Sequence, residues 1–184
     1  QNAAPDAAAE EQALIQTLQS EKPIFEKAKA CQRLAVIGTK KSVPVLAKLL
    51  ANEELAHYAR FGLEPIPDPA VDSALRNALW KLKGKLLVGV INSIGVRRDT
   101  EAQATLTKML GNPDLQVAAA AAAALGRIGN AEAAETLTAA LGSSKKELRP
   151  AIADACLFCA EALLKSDQRR GAVALYDAVR EAEI

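Results

Sequence analysis

Val117-Ala118-Ala119-Ala120-Ala121-Ala122-Ala123-Ala124-Leu125-Gly126-Arg127-Ile128-Gly129 is the stretch from which the architecture follows. Its closing phrase has two earlier counterparts, Leu34-Ala35-Val36-Ile37-Gly38 and Ile91-Asn92-Ser93-Ile94-Gly95. After each copy comes a short turn and a segment with two leucines four residues apart: Leu46 and Leu50, Leu106 and Leu110, Leu137 and Leu141. Extended along the chain, the first leucines are Leu14, Leu46, Leu75, Leu106, Leu137 and Leu175, at intervals of 32, 29, 31, 31 and 38 residues. Leu18, Leu50, Leu79, Leu110, Leu141 and Val179 follow four positions later. Residues four apart share one helix face, so each pair marks the buried side of a helix. Recurrence at this period is the sign of a solenoid of paired helices.

The pattern predicts eleven helices. The first, Ala7 to Gln19, is half a repeat and serves as an N-terminal cap. Five pairs follow: 23–37 with 43–51, 54–63 with 70–81, 85–94 with 100–110, 114–128 with 131–141, and 147–165 with a last helix ending at Glu181. Pro23 suits a first helical turn, where its missing N–H is no loss. Gly38 suits a helix end. Asp99 or Thr100 suits an N-cap. Glu64-Pro65-Ile66-Pro67-Asp68-Pro69 interrupts the second pair, because prolines at alternate positions prevent a continuous helix. The run of alanines from Ala118 to Ala124 reads as a buried first helix, with Val117, Leu125 and Ile128 continuing its stripe. Residues 1–6 read as a flexible segment and 7–184 as a single domain.

From Val117 to Leu137 the sequence resembles the HEAT-like repeat of the phycobilin-lyase type, roughly V-x-x-A-A-x-A-L-G-x-I-G-x-x-x-A-x-x-x-L. The second and fifth pairs depart from it, with Phe61-Gly62-Leu63-Glu64 and Leu157-Phe158-Cys159-Ala160 where the glycine phrase would fall. The segment from Tyr58 to Asp99 is similar to a subgroup of bacterial HEAT-repeat proteins of unsettled function. The resemblance implies an all-α, right-handed α-solenoid of about five helix pairs plus the capping helix. It also implies an interaction scaffold. Pigment-lyase chemistry, or another accessory enzyme activity of that type, is the alternative it carries. A structural or dimerising spacer of a larger exported protein is a second alternative.

Composition narrows the classes. The chain has 184 residues, half of them apolar, with 23 basic and 22 acidic side chains. This balance gives no field to attract nucleic acid or an anionic membrane, and no apolar run reaches the length of a membrane span. Gln1-Asn2-Ala3-Ala4-Pro5-Asp6 resembles the remnant of a cleaved signal peptide, so export is the expected location, with the cytoplasm as the alternative.

Few side chains look chemical. Cys156 and Cys159 have redox spacing but lie mid-helix in an apolar run, where cysteine acts as a small hydrophobe. Cys31, Cys156, Cys159 and His57 form a zinc-like set, but four repeat steps between Cys31 and the pair place them on the order of 40 Å apart. His57 has no nearby nucleophile motif. Glu64 and Asp68 flank the proline turn and are expected to pair with Arg60, Arg97 or Arg98. No catalytic residue, cofactor or metal is assigned.

The expected partner is a protein or peptide, with a homodimer allowed. In helical solenoids the second helices carry the binding face. The expected contact residues are therefore Lys48, Arg76, Asn77, Thr107, Lys108 and Tyr176, beside Ala47, Thr138, Ala139 and Asp177. Trp80 is read as either surface or core. The pairs Lys40-Lys41, Arg97-Arg98 and Arg169-Arg170 read first as solvated turns, interrupted by Glu64, Asp68 and Glu132; the alternative is a basic edge that grips an acidic partner.

Overall fold

The computed structural model describes residues 7–182, and the segment 1–6 lies outside them. Those residues form eleven α-helices and no strand. In chain order these are α1 (Ala7–Gln19), α2 (Ile24–Ile37), α3 (Val43–Leu49), α4 (Ala56–Leu63), α5 (Pro69–Leu79), α6 (Gly84–Arg97), α7 (Gln103–Met109), α8 (Leu115–Ile128), α9 (Ala131–Ser143), α10 (Arg149–Lys165) and α11 (Arg169–Glu181). The chain divides into two compact units, Gln1–Val90 and Ile91–Ile184, with the boundary inside α6.

Within each unit the packing is that of an α-solenoid. In the first, α2 packs on α1 and α4, while α3 packs on α4 and α5. In the second, α8 packs on α7, α9 and α10, and α11 closes against α9 and α10. First helices thus stack on first helices, and second helices on second helices.

The leucine columns face inward. Leu46, Leu75, Leu106, Leu137 and Leu175 are buried, as are Leu18, Leu50, Leu79 and Leu141. Leu14 and Val179, on the first and last helices, are half-buried, since a terminal helix has a neighbour on one side only. Burying each leucine removes apolar surface worth roughly 1.5–3 kcal/mol. Among the described residues no aromatic ring joins this core; it is built from Leu, Ile, Val, Ala and three cysteines.

Alanine and glycine set how closely the first helices approach. Ala118, Ala120, Ala121, Ala122 and Ala124 are buried in α8, which packs on α10, where Ala153, Ala155 and Ala160 are buried. A Cβ at Gly126 would lie 2.6 Å from the Ala155 carbonyl oxygen, and one at Gly95 would lie 2.8 Å from Ala124 Cα. Nothing larger than glycine fits at these crossings.

Several helix ends differ from expectation. α6 does not stop at Ile94 but runs to Arg97, because Gly95 serves packing rather than termination. Its end is a Schellman motif, in which the Arg98 N–H donates to Gly95 O and the Asp99 N–H to Ile94 O. Pro23 is the N-cap of α2 rather than its first residue. Three helices are entered through 3-10 turns, Lys40–Ser42, Thr100–Ala102 and Lys146–Leu148; α3 begins at Val43 as expected, whereas α7 and α10 begin later than the apolar pattern implies. Asp99 caps the second of these turns by accepting from the Glu101 N–H at 3.1 Å.

Candidate interaction surface

Grooves lie between consecutive second helices. In the first unit, Val43, Pro44 and Ala47 of α3 face Ala70, Ala74 and Asn77 of α5 across a groove of about 540 Å³. In the second unit, Ala134, Thr138 and Ala139 of α9 face Gly171, Ala174 and Leu175 of α11 across about 480 Å³. On its other side α9 borders a groove of about 580 Å³ with Thr107 of α7 and Leu110 just beyond it, to which Thr136, Ala139, Ala140 and Ser143 contribute. These volumes fall in the range of ligand clefts, roughly 300–1000 Å³. Alanine and glycine make them, because small side chains on two touching helices leave a trough where larger ones would meet.

The expected contact residues divide accordingly. Asn77 and Thr107 line grooves, together with Ala47, Thr138 and Ala139. Lys48, Lys108 and Tyr176 are exposed but stand outside the grooves. Arg76 is half-buried and reaches the Ser73 hydroxyl at 3.5 Å.

The basic pairs also separate. Lys40 lines the first-unit groove. Lys41 is exposed, and its charge helps hold the Glu11 carboxylate ionised. Arg97 is half-buried at the end of α6, whereas Arg98 is exposed in the turn beyond it. Arg169 bonds Asp167 at 3.2 Å, and with Arg170 borders a separate depression at the start of α11. Arg98 and the Arg169-Arg170 pair therefore line different grooves.

In the proline turn Ile66 is buried, and the Asp68 carboxylate caps α5 by accepting from the Ala70 N–H at 2.8 Å. Arg60 donates to Gly89 O at 3.2 Å. Burial pushes its guanidinium below its ordinary value, and the nearby Glu64 charge opposes that.

Nucleophile-type groups are withdrawn. Cys31, Cys156 and Cys159 are buried and free. Burial pushes Cys31 up to about 12 and both Cys156 and Cys159 up to about 11, so all three are neutral thiols near pH 7. His57 is exposed and meets only the edge of Tyr58, at 5.7 Å between ring centroids. Among the described residues no cluster of three or more His, Cys, Asp or Glu is arranged to hold a metal ion. No described helix is long and apolar enough to cross a membrane.

Sequence reasoning missed where the rings go. Trp80 belongs to the surface, at 74% exposed, because it follows the last residue of α5 where the chain turns away. Phe25, Phe61, Phe158 and Tyr176 are exposed too, and Tyr58 is half-buried. The available signal was the leucine columns themselves, which already account for the core and leave no ring in it.

Residues 67–156 match the family model described as HEAT repeats. This segment is made of HEAT repeats. The match is to HEAT repeats in general and carries no indication of pigment chemistry. Among solved structures, the chain is similar to the crystal structure of an engineered protein, with 18% identity, a TM-score of 0.54, and coverage of 95% of this chain and 97% of that one. That likeness supports the all-helical fold and nothing about activity. Human deoxyhypusine hydroxylase in complex with glycerol is a looser neighbour, at 15% identity and a TM-score of 0.36 over 97% of this chain and 86% of that one; a likeness this loose carries no argument. No curated protein matches the chain. HEAT repeats over residues 67–156 and helices stacked in pairs within each unit agree with one another.

Proposed function

We propose that this chain is a non-catalytic scaffold that binds a protein or an extended peptide along the second helices of its HEAT repeats. One observation carries the reading: troughs with small-residue floors recur between consecutive second helices in both units, at α3 and α5 and again at α9 and α11. A peptide laid across such helices meets a similar trough in successive repeats, as extended solenoid surfaces allow. Polar groups at the rims, Asn77, Ser73, Thr107 and Thr136, offer hydrogen bonds to a peptide backbone. The burial of all three thiols and the isolation of His57 favour binding over chemistry.

The test is a random-peptide display selection on the purified chain, followed by binding to Ala47→Glu and Ala139→Glu. Each substitution places a longer, charged side chain in a groove of its own unit. Selected peptides should lose binding to at least one variant while the far-ultraviolet circular dichroism is retained. Peptides that bind both variants as tightly as the parent would overturn the proposal.

A further inference from the structure

A separate groove lies among the first helices of the second unit, on helices other than those just proposed to bind a peptide. Val96 of α6, Arg98, Arg127 of α8, and Phe158, Glu161 and Lys165 of α10 line it, around a volume of about 360 Å³. Its floor is backbone, because Gly95 and Gly126 let α6, α8 and α10 approach closely at this level. Two large apolar side chains line it in the open: Phe158 is 60% exposed and Val96 52%, both high for side chains with no polar atom. Its rim is basic, with three cations against the single carboxylate of Glu161. Among the described residues, none of Arg98, Arg127 and Lys165 is held in an ion pair.

Arg98 adds an independent observation. It occupies the left-handed region, at φ 53°, which glycine enters freely and other residues enter at a cost. At the corresponding place after α8 the chain has Gly129, at φ 64°. A strained arginine where glycine would terminate the helix more easily marks a site where the side chain matters.

We infer that this groove binds an acidic peptide segment carrying one bulky apolar side chain. The apolar residue sits against Phe158 and Val96, and carboxylates on either side meet Arg98, Arg127 and Lys165. Arginine forks suit carboxylates in two-point hydrogen bonding, and an exposed ring is a common anchor at interfaces.

The experiment uses the full chain and a fluorescein-labelled peptide with a central leucine flanked by glutamates, read by fluorescence anisotropy. Saturable binding should weaken as salt is raised. It should weaken about tenfold in each of Arg127→Glu, Phe158→Ala and Arg98→Gly, in keeping with loss of a central contact. Replacing the leucine with glycine, or the glutamates with lysines, should weaken it similarly. Arg98→Gly separates binding from folding, because it relieves the strained turn and should melt no lower than the parent while binding less. The inference falls if the peptide does not bind, if these three variants bind as the parent does, or if duplex DNA binds more tightly through the same residues. If Ala139→Glu weakens the peptide and the groove variants do not, the peptide sits on the second helices; that outcome sinks this inference and leaves the scaffold reading intact.

Discussion

Adding one methyl group to two glycines of this chain should change its stability in opposite directions. Gly126 lies in α8 and Gly142 near the end of α9. Neither has a positive φ, so alanine suits both backbones. On helix propensity alone, alanine gains about 1 kcal/mol over glycine within a helix, and about half of that near a fraying end. At Gly142 nothing lies within 4 Å of the added Cβ, so the propensity gain stands and the variant should be stabilised by about 0.5 kcal/mol. At Gly126 the Cβ would meet the Ala155 carbonyl oxygen at 2.6 Å and Ala155 Cα at 2.9 Å. These are backbone atoms of α10 and cannot rotate away. Relief requires α8 and α10 to separate, which loosens the buried alanines between them. Overpacking of this kind costs about 1–3 kcal/mol and occasionally more. With rigid backbone atoms as the obstacle the upper part of that range applies, about 2–3 kcal/mol, so after the propensity gain the net loss is about 1–2 kcal/mol, or roughly 2–8 °C in a chain of this size at about 2–4 °C per kcal/mol. Thermal unfolding of the parent and both variants, followed by far-ultraviolet circular dichroism, measures it. A Gly126→Ala variant that melts at or above the parent would refute the claim that glycine sets the spacing of these helices.

The Glu11 carboxylate, only 2% exposed, accepts from the Thr39 N–H at 2.7 Å, the Ser42 hydroxyl at 2.6 Å and the Thr39 hydroxyl at 2.9 Å. Burial pushes its pKa up, but these bonds together outweigh it and hold the group below its ordinary value. Its contribution is therefore complete above the unfolded value near pH 4.3 and is lost as pH falls through the lower folded value. Glu11→Ala should cost about 2–3 kcal/mol at neutral pH by leaving buried partners unpaired, and the gap to the parent should close in acid; chemical denaturation at several pH values checks both. Cys31, Cys156 and Cys159 should resist alkylation in the native chain and react fully once it is denatured, as a mass-spectrometric labelling series would show. Trp80 should emit at the long wavelength of a hydrated indole and be quenched by iodide in the folded state; a blue-shifted, unquenched emission would mean that the ring is covered.

The helical order was legible because it rests on repeated burial. Leu46, Leu75, Leu106 and Leu137 recur at nearly constant spacing, and each sits at the centre of its own helix contact. Helix boundaries were less legible wherever one residue type serves two purposes. Gly95 and Gly38 end the same phrase, yet Gly95 lies within α6 while Gly38 follows the end of α2. The difference lies in what stands opposite, Ala124 for Gly95, and no local pattern records that. The surface was read in part. Asn77 and Thr107 follow from counting along the second helices, because a trough between helices obeys the same period as the core. The groove of Arg98, Arg127, Phe158 and Lys165 does not, since its members come from three helices and a turn.

The placement of rings joins fold to function. A core of stacked helix pairs at this spacing has room for leucine and alanine, and a phenylalanine between α8 and α10 would push apart crossings that touch at glycine. The repeats therefore exclude aromatic side chains from the interior, so each of the six rings in the sequence lies at or near the surface. Exposed rings contribute little to folding, and their apolar area remains in contact with water until something covers it. For Phe25 the cover is partial and internal, with the Lys29 ammonium 4.3 Å from the ring centroid. Phe158 has no such cation over its ring; it stands instead at a groove whose rim carries three unpaired cations. Close packing within the stack thus leaves apolar anchors and charge on the outside, and a scaffold needs both to hold a partner.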